Sequence, residues 1–323
     1  MVDFSNLLAI KSDSDFERIA LEVFHYQLKN CSVYRDYVHL LNRQNAKSLE
    51  EIPFLPIEFF KTNEINCGQK SSNDILFLSS GTGNSTRSKH IVRDIKLYES
   101  NFRAIYHQFY GAISDHVILA LLPNYQEQGN SSLVYMVDTL ISDTANNLSG
   151  FLLNEPEEIE IRYKKACASG KKVVIFGVSY ALLDLAEKNI NLSEAVIIET
   201  GGMKGRRKEI SKKSLHLELM KGLNVPFVSS EYGMTELLSQ AYSFEEGIFS
   251  CPPWMKVLFR EVHDPLTLIE GSGKGAINVI DLANIHSCSF IATQDLGRNV
   301  PGGFILEGRM EQSDLRGCNL MVD

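Results

Sequence analysis

The stretch Ile75–Val92, ILFLSSGTGNSTRSKHIV, ends an apolar run at two serines and continues with small, hydroxylated and then basic residues. Glycines at Gly81 and Gly83 let backbone N–H groups turn toward one point. The hydroxyls of Ser79, Ser80, Thr82, Ser85 and Thr86, with a cation at Arg87 or Lys89, add further donors. Such a loop suits a phosphate-bearing anion, and taken alone it also reads as a flexible polar turn. The pattern GxxxxGK(S/T) is not met after Gly81, and GxGxxG fails at Thr86. A second candidate is Ser179 in Gly177-Val178-Ser179-Tyr180-Ala181, near the GxSxG nucleophile elbow but without its last glycine. His263, His286 and Asp264 are the residues a triad there would recruit. Cys318, in DLRGCNLMVD, offers a thiolate as acceptor for an activated acyl group.

The elements that must carry these residues follow from periodicity. Residues 14–29 place Phe16, Ile19, Ala20, Val23 and Phe24 on one helical stripe, with Ser14 or Asp13 as its cap. β-rich runs recur afterwards: DILFLSS, DHVILALLP, KKVVIFG, EAVIIET, VPFVSSEYG, GAINVIDL and SFIATQDLG, alternating with helical patterns over 154–169 and 203–222. Several of the middle runs are apolar throughout, which predicts parallel strands covered by helices on both faces. After about residue 245 helical periodicity disappears and turns multiply, which predicts an antiparallel, barrel-like end. The fold class is therefore α/β, with layered, mostly parallel sheets flanked by helices.

With 323 residues the chain can bury one large core or two ordinary ones. Hydrophobic residues at 44%, charged residues at 22% and a mean hydropathy of −0.09 belong to a globular chain. The start, MVDFSNLLAIKSDSDF, lacks the basic region of a leader, no run approaches a membrane span, and a cytoplasmic location is expected. A net charge of −8 and a pI near 5.6 disfavour nucleic acid as a partner, because neutralising phosphates needs a basic face. KGRRKEISKK, Lys204–Lys213, is the local exception; it reads as a solvated helix face, with docking of an acidic partner as the alternative. The six cysteines form no CxxC pair, so reduced thiols are expected rather than zinc or disulfides.

Four motifs together carry a resemblance. SSGTGNSTRSK resembles the phosphate loop (S/T)SG(S/T)TGxPK of the ANL adenylate-forming superfamily, and EYGMTE, Glu231–Glu236, resembles its YGxTE motif. TQDLGR and EGRMEQSDLRG are similar to its TGDxG/R and hinge motifs, in the family's order. More closely, IPFLPIEFFKTNEI, LLPNYQEQGNSSL and the cysteine near the end resemble the acyl-protein synthetase (LuxE) family, with phenylacetate-CoA ligases as more distant relatives. The resemblance implies that ATP activates a fatty or other apolar carboxylic acid as acyl-AMP with release of pyrophosphate. The acyl group then passes to a cysteine, Cys318 by position, and on to a partner protein, a reductase or carrier. The large adenylate-forming domain would span 1–307, with 308–323 a hinge remnant and tail. The superfamily's small C-terminal domain is then truncated or absent and its catalytic lysine has no counterpart.

The same resemblance implies roles. Ser79, Ser80, Gly81, Thr82, Gly83, Ser85 and Thr86 form the phosphate loop; Arg87 or Lys89 stands near the family's lysine, although the loop lacks Pro-Lys. Within Tyr232-Gly233-Met234-Thr235-Glu236, Tyr232 stacks on adenine, Thr235 bonds the α-phosphate and Glu236 holds Mg2+, a hard cation that prefers oxygen ligands. Gly201 and Gly202 lie against adenine, or form a plain strand-to-helix turn. Asp295 accepts from the ribose hydroxyls and Arg309 marks the hinge. The Ser179 segment also resembles the family stretch GVPxxxxxL, which borders the acyl pocket. The rival readings are an acyl- or aryl-CoA ligase of the phenylacetate type using CoA, a serine acyl hydrolase or transferase using Ser179, and a nucleotide-binding module without chemistry.

Overall fold

A computed structural model describes residues 7–69, 71–80, 86–123, 130–201, 210–271 and 273–310. The chain forms two compact units: one combines the chain before Asp74 with the chain from Ile248 on, and the other is Asp74–Gly247. In chain order the elements begin with α1 (Asp13–Asn30), α2 (Ser32–Leu40), β1 (Leu55–Pro56) and α3 (Phe59–Thr62). The Asp74–Gly247 unit holds β2 (Ile75–Leu78), β3 (Lys89–Val92), α4 (Ile95–Tyr110), β4 (His116–Leu121), α5 (Ser132–Asp143), β5 (Gly150–Phe151) and α6 (Glu158–Ala168). It continues with β6 (Lys172–Gly177), α7 (Ser179–Ala186), β7 (Ala195–Glu199), α8 (Lys212–Leu223), β8 (Ser229–Tyr232) and β9 (Ala241–Ser243). Last come β10 (Ile248–Ser250), β11 (Met255–Arg260), β12 (Lys274–Asp281), β13 (Phe290–Val300) and β14 (Gly303–Arg309).

In the Asp74–Gly247 unit the strand order is β5-β4-β6-β7-β8-β9, parallel except for the antiparallel β9. Every residue of β4 is buried and so is β6 after its first, which accounts for their uninterrupted apolar sequences. Asp94, Ser131 and Ser211 cap α4, α5 and α8 by accepting from the N–H groups of Leu97, Val134 and Ser214. Gly222 of α8 meets α7 so closely that a Cβ there would lie 2.5 Å from the Ala186 carbonyl oxygen. The run DILFLSS stands apart from this sheet: among the described residues β2 pairs with β3, as an antiparallel hairpin. Phe77 anchors the hairpin, its ring 5.7 Å from those of both Tyr98 on α4 and Tyr135 on α5. Because β5 and β6 flank β4 on opposite sides, the connections reverse direction there. The carboxyl ends of β4 and β6 are therefore a topological switch point, the position at which α/β sheets commonly hold ligands.

In the other unit α1 buries the expected stripe, joined by Gln27. Its cap is Ser12, earlier than the expected Asp13 or Ser14: the Ser12 hydroxyl accepts from Asp15 N at 3.1 Å, while Asp13 pairs with Lys256 at 2.8 Å. The Gln27 amide donates to the carbonyls of Asn284 and Ile285 and accepts from Ser289 N, so the helix is fixed by its one buried polar side chain. Strands β11, β12, β13 and β14 form an antiparallel meander, with β10 paired to β14, in line with the loss of helical periodicity. β1 runs parallel to β13 at Ile291 and Ala292. The first part of β13 therefore lies between β12 and β1, and the rest between β12 and β14. Among the described residues no helix is long and apolar enough to cross a membrane.

Candidate functional site

The carboxyl ends of β6, β7 and β8 bring Ser179, Glu199–Gly201 and Tyr232–Glu236 to one edge of the sheet in the Asp74–Gly247 unit. Glu199, only 2% exposed, is the hub. Its Oε1 accepts from the Ser179 hydroxyl at 2.5 Å and from Gly201 N at 2.7 Å. Its Oε2 accepts from the Ser230 hydroxyl at 3.2 Å and pairs with Lys212 Nζ at 3.3 Å. His216 Nε2 lies 3.1 Å from the Ser230 hydroxyl. Burial alone would push the Glu199 carboxyl up, yet the Lys212 charge, the Ser179 hydroxyl and His216 hold it below the usual range. Glu231 shows the reverse: burial, reinforced by the Glu199 charge and opposed by Lys212, pushes it up to about 8.

The β2–β3 hairpin is bonded at its end by Ser79 and Ser88. Ser79 N donates to the Ser88 carbonyl at 3.1 Å and Ser88 N to the Ser79 hydroxyl at 2.9 Å. From β3, His90 Nδ1 lies 2.6 Å from the Thr235 carbonyl oxygen; a carbonyl can only accept, so this nitrogen carries the hydrogen. The strand leaving the loop is thus bonded to the YGMTE segment. On α4, buried Asn101 donates to the Leu238 carbonyl at 2.7 Å and to the Ser239 hydroxyl at 3.1 Å, which fixes the chain just beyond Glu236.

Of the expected residues in this unit, Tyr232 ends β8 and Gly233, Met234 and Thr235 follow it half-buried, while Glu236 is 5% exposed. A Cβ at Gly233 would meet the carboxylate end of the flexible Glu231 side chain, which can move aside. Gly201 has φ +79°, a left-handed turn that favours glycine. Ser80, Thr86, Arg87 and Lys89 are exposed and Ser79 is half-buried. Lys89 alternates with His90 along β3 and so points to the face away from Thr235. Ser179 is buried and donates to the Glu199 carboxylate, where the serine of a triad would donate to an imidazole. Gly81, Thr82, Gly83, Ser85, Gly202 and Cys318 lie outside the described residues, as does most of the basic stretch. His90, Asn101 and Glu199 escaped the sequence reading; the one signal was a charged residue closing the apolar run EAVIIE.

The other unit holds Asp295 and Arg309 as directly opposed residues of β13 and β14, Arg309 Nε lying 4.0 Å from Asp295 Oδ1. Two motifs on consecutive strands thus become cross-strand neighbours in the β13–β14 hairpin. Gln294 bonds Glu58, accepts from Arg309 at 3.5 Å and, through its backbone carbonyl, from Met310 N at 2.7 Å. Beneath them Arg260 donates to the carbonyls of Thr293 and Ile277, and the Thr293 hydroxyl accepts from Asp295 N at 3.1 Å.

No family model matches the chain, and no curated protein does. Solved structures do. An open-conformation 2-hydroxyisobutyryl-CoA ligase, in complex with 2-HIB-AMP and CoA, matches with TM-score 0.63 at 14% identity, over 92% of this chain and 74% of that one. ATP-bound MatB from Rhodopseudomonas palustris matches with TM-score 0.55 at 15% identity, over 75% of this chain and 50% of that one. The chain shares the fold of these structures. A long-chain-fatty-acid-CoA ligase (FadD1) from Archaeoglobus fulgidus shares it with TM-score 0.52 at 13% identity, over 74% of this chain and 52% of that one. The chain spans about half the length of MatB and of this ligase. At these identities the likeness is one of fold.

Proposed function

We propose that the protein is a cytoplasmic, ATP-dependent enzyme that converts a carboxylic acid to acyl-AMP and passes the acyl group to a thiol. The observation that carries this reading is the 2.6 Å bond from His90 to the Thr235 carbonyl. It ties the strand leaving a phosphate-type loop to a Thr-Glu pair, so donors for phosphate oxygens and a carboxylate for a cation belong to one bonded assembly. An acid oxygen attacks the α-phosphorus and the bond to pyrophosphate breaks; a thiolate then attacks the acyl carbon of acyl-AMP, forming the thioester as AMP leaves. In this reading the pinned hairpin holds the outer phosphates, the Thr235 hydroxyl bonds the α-phosphate, Tyr232 supports the base and Asp295 takes the ribose. The oxygen donors Thr235 and Glu236 fit a hard cation, and magnesium commonly needs only one or two carboxylates besides the phosphates. Bound there, Mg2+ would neutralise charge on the leaving pyrophosphate.

The resemblance to acyl-protein synthetases favours a fatty or other apolar acid, Cys318 as acceptor, a reductase or carrier as the onward partner, and a catalytic region over 1–307 with a tail over 308–323. CoA is the second reading for the acceptor, because two structures of the same fold are named as CoA ligases. Carboxylate-dependent ATP–pyrophosphate exchange, run from acetate to long-chain and aryl acids, tests the core of the proposal. Exchange with one acid class that vanishes in Glu236→Ala is expected. Absence of exchange with every acid, from protein that binds ATP, would overturn it. Protein-bound acyl label lost in Cys318→Ala supports the cysteine route; CoA thioester formed equally by that variant selects the second reading.

A further inference from the structure

Glu199 has no place in the motifs, yet it holds the edge on which they sit. Its two oxygens receive donors from four separate segments: the turn after β6 through Ser179, the turn after β7 through Gly201 N, β8 through Ser230, and the first turn of α8 through Lys212. A carboxylate can accept about four hydrogen bonds, and no neutral side chain of this size accepts as many. Removing it would leave several buried donors without an acceptor, which costs more than the bonds themselves contribute. Two of the four segments matter for a ligand. At Gly201 the backbone takes a left-handed turn at φ +79°, with its N–H turned back onto Glu199. Ser230 and Tyr232 are two residues apart on β8 and share a face, so a bond to Ser230 fixes the strand that carries the aromatic ring.

We propose that Glu199 is a positioning residue for the nucleotide, its carboxylate aligning the Gly201 turn and the Ser230–Tyr232 strand end into one surface for the base of ATP. This rests on the functional reading above. Glu199 is buried and bonded within the protein, so it touches neither phosphates nor acid. Its loss acts on nucleotide affinity and leaves the chemical step nearly intact.

The test compares wild type, Glu199→Gln and Ser230→Ala in ATP–pyrophosphate exchange and in calorimetric ATP binding, with thermal melts to establish folding. Glu199→Gln is expected to raise KM and Kd for ATP at least tenfold, with kcat within threefold and KM for the acid unchanged. A general loss of structure would not produce that division. Ser230→Ala, which leaves three of the four donors in place, is expected to raise KM for ATP about threefold. Should Glu199→Gln fail to fold, Ser230→Ala and Ser179→Ala decide: a raised KM for ATP alone supports the assignment, and unchanged values overturn it. ATP binding equal in wild type and folded Glu199→Gln overturns the inference alone. A wild type that binds no ATP overturns the functional reading and the inference with it.

Discussion

Glu199 and Glu231 are the same residue type within one unit, driven in opposite directions by what surrounds them. Glu199 is kept ionised by its donors, whereas Glu231 is pushed up to about 8 by burial and by the Glu199 charge. In the unfolded chain Glu231 would titrate near its ordinary value of 4.5. Between that value and about 8 the folded state therefore binds the extra proton, and stability falls as pH rises through this window. Glu231→Gln removes the effect: its melting temperature should decline less between pH 6 and 9 than that of wild type, as measured by calorimetry. At His90 the prediction concerns activity. A net hydrogen bond is worth about 1 kcal/mol, so His90→Ala should lower kcat/KM for exchange roughly five- to tenfold. An unaltered value would show that the bond to Thr235 does not orient the segment. Tyr232, Thr235 and Asp295 could be proposed from sequence because their types sit in short motifs. His90 and Glu199 were not, since a buried polar side chain is explained by its partner, and the partner of His90 is 145 residues away in sequence.

At the scale of elements, the helix expected over 14–29 runs Asp13–Asn30, because an apolar stripe survives any context, while the patterns over 154–169 and 203–222 hold the shorter α6, Glu158–Ala168, and α8, Lys212–Leu223. The α1 cap was misplaced because Ser12, Asp13 and Ser14 all suit the role by type, and only the bond to Asp15 N separates them. DILFLSS was indistinguishable from the sheet strands, since a short apolar run does not reveal its neighbours. The two-residue strands β1 and β5 leave no periodic signal at all. One element contact has a sharp consequence for stability. Gly222 is what lets α8 reach α7, and Gly222→Ala would drive a methyl into the Ala186 carbonyl. Overpacking of this kind costs about 1–3 kcal/mol. The melting temperature should fall by several degrees in thermal unfolding, and an unchanged value would mean that the helices separate without strain.

For the whole chain, the acidic balance was legible from composition alone: with a pI near 5.6, solubility measured against pH should pass through its minimum close to that value. The boundary at Ile248 lies close to the loss of helical periodicity after about residue 245, whereas nothing in the sequence marks Asp74 or joins the chain before it to the chain from Ile248 on. A discontinuous unit leaves no local trace, since what joins its parts is strand pairing across a long separation. The pairing of β1 with β13 sets Leu55 beside Ile291 and Pro56 beside Ala292. During translation Leu55 must therefore wait for more than two hundred further residues before its partner exists, on the order of tens of seconds at ~5–20 residues per second. For that interval the apolar stripe of α1 has no sheet to cover, and the nascent chain presents a binding site for ribosome-associated chaperones until β13 emerges.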